Sequence, residues 1–446
     1  MVISILENKY YTIEYLQDIF GCSYEEILTF SERKQIVQWH DSNRKLAFHF
    51  VGFLFHSNAT IAFLPKYLKN TEEINLNEYT ALLLRVIHKY QRNLLDTDYD
   101  SEILEEIDDM GFHLLGTISY LLQHYCDYGF YVKEHDVQDP LYEGEIDWNT
   151  TIDENIGYLT DDNKPVYLDL IKTYADVDLN AKITDIHKFV LNECSKIVST
   201  LQLDLIFSWP QLLFDIKFNW DNNYDEAIYI IEKEMLTEFQ DQKLHLLKNL
   251  KLFLEQMNSM NFSQDPFIVG TKYFYHIWEK CCSDVLGHDS SIQHYISKPA
   301  WQIDNNVFHS EHTLRPDFLK NYRFADSNYL LIFDAKYYAF DYDIEHTNLI
   351  KSAPGVGDIT KQYMYQKALE QYVTINEIHN VYNAFLLPSN EEYIQVKGNV
   401  RFDFISNLQA IKLVYLNAKD LFFNYINNEH WSTNYLDNLL TELQSN

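Results

Sequence analysis

An α/β fold is predicted for the C-terminal part of this 446-residue chain. It is a small mixed sheet with helices on both sides, preceded by an α+β half with a β-meander and long helices. Three observations predict it. Apolar runs of strand length recur at 313–319, 329–338, 381–388 and 410–415. Helix-like stretches lie before the first of these and from Asp358 onward. In the N-terminal half, residues 45–68 read as short strands, whereas Leu76–Leu95 and residues 225–258 have helical spacing.

Taken in order, Leu46–Phe55 and Ala59–Leu64 flank His56-Ser57-Asn58, a hairpin-turn composition. Residues 96–109 hold eight acids in 14 positions, which reads as a solvated helix or loop. Residues 225–258 read as one long helix. Its apolar stripe is Ile228, Ile231, Met235, Phe239, Leu246, Leu250, Phe253 and Met257, the pattern of a packed bundle face. Asn258–Pro266 is polar and ends in proline, so it divides the chain into regions 1–262 and 263–446, the first with one or two subdomains. Thr313–Leu319 and Tyr329–Tyr338 are expected as neighbouring strands of one hairpin, with Lys320–Asn328 as the turn. That pairing brings Asp317 beside Asp334. Val381–Pro388 is a further core strand, and Ala410–Tyr415 another.

The chemistry concentrates at the end of the second of these strands. Side chains alternate along a strand, so Asp334 and Lys336 share a face with Leu330 and Ile332, while Leu331, Phe333 and Ala335 line the other. The strand is apolar on both sides until its charged end. Unpaired buried charge is costly, which implies that a divalent metal and a phosphate come from outside. Pro316-Asp317 followed by Asp334-x-Lys336 is the signature of a class of Mg²⁺-dependent nucleases. Hard cations take oxygen ligands and keep several waters. Asp317 and Asp334 supply carboxylates and Ala335 a backbone carbonyl, with Mn²⁺ as a substitute ion. Lys336 is a compact charge that orients the attacking water or stabilises charge on the phosphate. Asp-x-Lys alone is also an ordinary edge-strand ion pair. The preceding Pro-Asp, a glutamate on the helix before (Glu279) and a glutamine on the helix after (Gln366) favour the nuclease. Gln362 lies one turn before Gln366 on the same face and is an alternative to it.

Composition narrows the class. Aromatics reach 15%, with 34 Tyr and 28 Phe, so a large core is within reach, and 12 Gly and 9 Pro exclude low-complexity structure. The net charge is −31. Residues 1–262 hold 21 Lys/Arg against 44 Asp/Glu, residues 263–446 hold 14 against 22, and residues 315–367 hold seven of each. The acid burden lies outside the proposed site. A protein this acidic binds bare DNA poorly, so DNA is expected to be delivered by a partner. Five cysteines without paired spacing point to a reducing cytoplasm. No apolar run reaches membrane length, and Met1–Phe20 lacks an export pattern. The expected location is cytoplasmic, with no membrane association. Gly355–Lys361 has Thr360 where a phosphate-cradling loop requires glycine, so nucleotide hydrolysis belongs to a partner. Zinc held by His276, Cys281, Cys282 and His288 is disfavoured, because adjacent cysteines point about 100° apart on a helix. There is no Gly-x-Ser-x-Gly elbow.

The stretches Gly270–Cys281, Leu314–Asp317, Phe333–Tyr338 and Gly357–Gln366 together resemble the LlaJI-type restriction endonuclease family, which is related to McrC. Val51–Phe55, Thr60–Tyr67 and Gly144–Thr151 are also similar to segments of McrC-type proteins. The resemblance implies a PD-(D/E)xK endonuclease core at 263–446 and a McrC-like stalk or docking region at 1–262. It implies catalytic roles for Asp317, Asp334, Lys336, Glu279 and Gln366. The implied activity is Mg²⁺-dependent cleavage of double-stranded DNA in a bacterial anti-phage restriction system. The implied partner is an AAA+ GTPase motor of the McrB kind, stimulated by this subunit, with dimerisation through paired complexes. The alternative is a non-cleaving stalk that only activates the motor.

Overall fold

A computed structural model describes residues 2–40, 44–56, 59–68, 76–95, 114–138, 145–162, 164–178, 181–201, 203–220, 223–259, 266–342, 350–405 and 408–445. The acidic run 96–109 and the turn residues Ser57-Asn58 lie outside them. The fold is mixed α/β and divides into two compact units, one of residues 1–113 and 265–446, the other of residues 114–264. The single division at 262 expected from sequence therefore differs from the one found. The reason is strand pairing: Phe267–Thr271 runs antiparallel to Val51–His56 and completes an N-terminal sheet. Its order is Val2–Leu6, Ala59–Leu64, Val51–His56, Phe267–Thr271.

That pairing depends on two glycines facing each other. Gly52 (φ +151°) and Gly270 (φ +157°) are register partners, and a Cβ on Gly270 would lie 2.3 Å from the Val51 carbonyl oxygen. The Phe50 ring occupies the space a side chain would need. The meander accordingly breaks where Leu46–Phe55 was expected to run straight. Lys45–Phe48 stays in a separate sheet with Tyr11–Thr12 and Val37–His40, and Val51 starts the next strand. An aromatic-rich core of Phe20, Phe30, Phe48, Phe50 and Phe63 fills the space around them.

In the same unit a five-stranded sheet has the order Phe318–Phe324, Ser327–Ala335, Asn380–Ser389, Ile411–Asn417, Gln395–Val400. The two outer pairings are antiparallel and the two inner ones parallel. A parallel pair needs a crossover, here the helices Val356–Ala368 and Glu370–Ile375. Leu330 and Ile332 pack with Tyr365, Leu369 and Tyr372 of those helices. The helix Phe274–Leu286 also packs on the Ser327–Ala335 strand, and its buried Trp278 donates from Nε1 to the Leu386 carbonyl of the neighbouring strand at 3.1 Å. Strands expected at 381–388 and 410–415 are present with slightly longer bounds.

The first hairpin differs from expectation. Lys320–Asn328 is not a long turn: the strand begins only at Phe318 and runs to Phe324, and the turn is Ala325-Asp326, both at positive φ (46° and 63°). Two such residues match the strand twist in a tight hairpin. The polar run reads as a turn because it forms a sheet edge. Lys320 reaches back to donate to the Leu286 carbonyl at 2.9 Å, closing the end of the Phe274–Leu286 helix.

In the second unit, helices Leu114–Tyr128, Lys182–Thr200, Tyr224–Met235 and Asp241–Ser259 pack together. The long helix expected over 225–258 is two helices, a correction with a local cause. The Glu238 carboxylate accepts from the backbone N–H of Phe239 and Gln240 at 2.9 and 3.0 Å, bracing the turn between the two helices, and Phe239 is 88% exposed. The seven-residue gap between Phe239 and Leu246 marks the break. Asp147, in the motif 144–151, caps the helix Trp148–Glu154 by accepting from Thr150 N–H at 3.1 Å.

Candidate active site

The site lies at the carboxyl end of the Ser327–Ala335 strand, where ligands of open α/β sheets bind. The hairpin register Phe318↔Phe333 sets Asp317 opposite Asp334. Asp317 Oδ2 accepts the Ala335 N–H at 2.9 Å, so the residue before the strand takes over the last ladder bond and its carboxylate is fixed. Asp334 is 3% exposed. Its Oδ2 lies 2.6 Å from Lys336 Nζ, and the same ammonium lies 3.2 Å from Asp358 Oδ1. Asp358 is itself anchored, its Oδ2 accepting the Gly355 N–H at 3.0 Å at the start of the Val356–Ala368 helix. Lys336 N–H donates to the Leu386 carbonyl at 2.8 Å, the oxygen that also receives Trp278. Three elements therefore converge on one strand end.

The electrostatics follow from burial. Burial, the neighbouring Asp334 and then Glu279 push the Asp317 carboxyl up to about 8, against the opposing Ala335 hydrogen bond and Lys336. Burial also raises Asp334, despite Lys336 and Lys361. Burial pulls the Lys336 ammonium down, but Asp334 and Asp358 outweigh it and hold the lysine above its ordinary range. Two adjacent acids that resist joint ionisation are a donor set that a divalent cation would neutralise. Among the described residues no three His, Cys, Asp or Glu side chains group closely enough to hold a metal alone. Asp317, Asp334 and a backbone carbonyl fit an ion that keeps water and phosphate oxygens in its shell.

The other expected residues are placed less uniformly. Glu279 is partly exposed on the Phe274–Leu286 helix, 3.5 Å from His276 Nδ1, and its charge reaches both aspartates. Gln366 is hydrogen-bonded to Asn383 rather than to the aspartates. Its Oε1 accepts from Asn383 Nδ2 at 3.3 Å. Gln362, the alternative, is fully buried and donates from Nε2 to the Ile332 carbonyl at 3.0 Å and to Asn383 Oδ1 at 2.5 Å. It ties the crossover helix to the Ser327–Ala335 strand two residues before Asp334. Sequence reasoning missed Asn383 and the Asp358 contact to Lys336. Neither has a local signal, since each depends on how the helix crosses the sheet. The zinc alternative finds no support: His288 Nδ1 accepts the Leu319 N–H at 2.9 Å, and Cys281 and Cys282 are buried.

The family model of the LlaJI restriction endonuclease matches residues 50–419, from the N-terminal sheet through the last strand of the five-stranded sheet. The chain belongs to the LlaJI restriction endonuclease family. This LlaJI-family chain is 30% identical over 419 residues to the YdjA component of the type II restriction enzyme BsuMI of Bacillus subtilis (strain 168). That alignment covers 91% of this chain and 86% of the relative. A chain of the solved assembly of Thermococcus gammatolerans McrB AAA+ hexamers with bound McrC aligns over 96% of this chain and all of its own length, at 13% identity and TM-score 0.39. A chain of the cryo-EM McrBC complex from the same organism aligns over 63% and 86%, at 11% identity and TM-score 0.28. Among the described residues of the LlaJI-family chain, no helix is long and apolar enough to cross a membrane.

Proposed function

We propose that this chain is the Mg²⁺-dependent DNA-cleaving subunit of a bacterial restriction system, acting with an AAA+ GTPase motor. One observation carries the reading: Asp317, Asp334 and Lys336, from two adjacent strands, meet at one strand end within a restriction-endonuclease family chain. In this reading the strands belong to a PD-(D/E)xK core. Asp317, Asp334 and the Ala335 carbonyl hold Mg²⁺, or Mn²⁺ in its place. When bound, the ion supplies Lewis-acid activation of water and neutralises charge on the scissile phosphate. The chain's own part is positional. Asp358 and Asp334 hold the Lys336 ammonium between them, which leaves its third N–H for the reacting phosphate or water with little freedom left to lose. Glu279 adds a partly exposed carboxylate whose charge reaches both aspartates, and Gln362 with Gln366 and Asn383 keeps the helix in register with the strand. The acidic surface and the −31 charge support delivery of DNA by a motor, which docks on the acidic N-terminal half.

The test is cleavage of duplex DNA with Mg²⁺, with and without the motor and GTP. Cutting that requires the motor supports the reading. Motor stimulation without any cutting identifies a non-cleaving stalk instead, and robust cutting by the lone chain removes the need for a motor.

A further inference from the structure

The site as folded is short of accessible positive charge. Three carboxyl groups (Asp317, Asp334 and Asp358) act on one ammonium, which is taken up between Asp334 and Asp358, and Glu279 adds a further negative charge that reaches both aspartates. A nucleic-acid strand entering here needs further cations for its phosphates. Two are present at the rim. Lys361 is exposed one turn beyond Asp358 on the crossover helix, its Nζ 5.8 Å from the centre of the Tyr365 ring. Arg315 is exposed two residues before Asp317. Tyr365 joins them: its buried hydroxyl donates to the Arg315 carbonyl at 2.9 Å while its ring carries Lys361. Neither cation forms an ion pair among the described residues. Elsewhere on this acidic chain Lys336, Lys280, Lys367 and Arg323 do. Lys361 is close enough to Asp334 for its charge to favour that carboxylate.

We propose that Arg315 and Lys361, spaced by Tyr365, form a clamp for the backbone phosphates of duplex DNA flanking the cut. The proposal rests on the nuclease reading for its substrate. It adds which side chains seat that substrate. The aromatic ring restricts the lysine near Asp334, and the hydroxyl fixes the backbone of the loop bearing the arginine, so less freedom remains to be lost when DNA arrives.

The experiment is the salt dependence of binding of a fluorescent 30-base-pair duplex by the full chain in EDTA, where no cutting occurs. Lys361→Ala and Arg315→Ala are each expected to lower the slope of log affinity against log salt by about 1, and the pair by about 2. Lys361→Arg should keep the original slope, and Lys397→Ala on the distant edge strand serves as the unchanged control. A double variant with the wild-type slope and thermal midpoint overturns the clamp, as does an unsubstituted chain whose own slope is below about 2. Slope losses in a chain that never cuts with motor, GTP and Mg²⁺ uphold the clamp and sink the nuclease reading. Cutting at wild-type KM by the double variant does the reverse.

Discussion

At the residue scale, Asp317 is the most informative group. Its carboxyl is pushed from 3.8 up to about 8, so the folded protein holds a proton there that the unfolded chain releases. The sign follows from linkage: stability from this group is complete below about 3.8 and lost as pH rises through about 8. Without divalent ions, the thermal midpoint should fall across that window by several degrees more in the wild type than in Asp317→Asn. Mg²⁺ or Mn²⁺ should restore it most strongly near pH 8 and release a proton on binding, readable by calorimetry in two buffers. Equal pH profiles for the two proteins contradict the assignment. Asp358→Asn removes one of the two carboxylates holding Lys336, and cleavage should drop about 10–100-fold with metal affinity nearly unchanged. Asp317, Asp334 and Lys336 were legible because Pro-Asp and Asp-x-Lys sit in order at strand ends. Asp358 and Asn383 were not, since both act across a crossover that local pattern does not encode.

At the element scale, the site strand Ser327–Ala335 and its neighbour Asn380–Ser389 are held by what packs on them rather than by their own sequence. Trp278 and Lys336 share the Leu386 carbonyl, and Gln362 grips the Ile332 carbonyl. Gln362→Leu should cost about 1–3 kcal/mol by leaving buried acceptors unpaired, seen as a lower urea midpoint. It should also lower kcat more than it raises KM. Unchanged kcat with lowered stability would reduce Gln362 to a core residue. The strands at 381–388 and 410–415 were readable as apolar runs. The turn of the first hairpin is hidden in sequence because an edge strand with alternating polar residues looks like a turn, and the break in 225–258 is hidden because the apolar stripe keeps helical phase across the turn braced by Glu238.

At the scale of the whole molecule, the N-terminal 113 residues belong with the C-terminal ones in a single compact unit. Tyr337, next to Lys336, donates to Glu7 at 2.5 Å, and the Lys66 ammonium lies 4.4 Å above the Tyr337 ring. A fragment of residues 263–446 alone would expose the Phe267–Thr271 strand and this buried node. It should show no cooperative thermal transition, whereas adding residues 1–113 in trans or by fusion should restore one. Gly270→Ala should destabilise the full chain by about 3 kcal/mol, since backbone on both sides blocks the new Cβ. This pairing was invisible in sequence because its partners lie more than 200 positions apart. The central claim is that two aspartates and a lysine at one strand end hydrolyse DNA with a divalent ion. Its most direct measurement is single-turnover cleavage by the motor-bound chain in Mg²⁺, wild type beside Asp334→Asn. The expected loss is about a thousandfold or more, equivalent to several kcal/mol of transition-state stabilisation. Cleavage by Asp334→Asn at the wild-type rate would contradict the account.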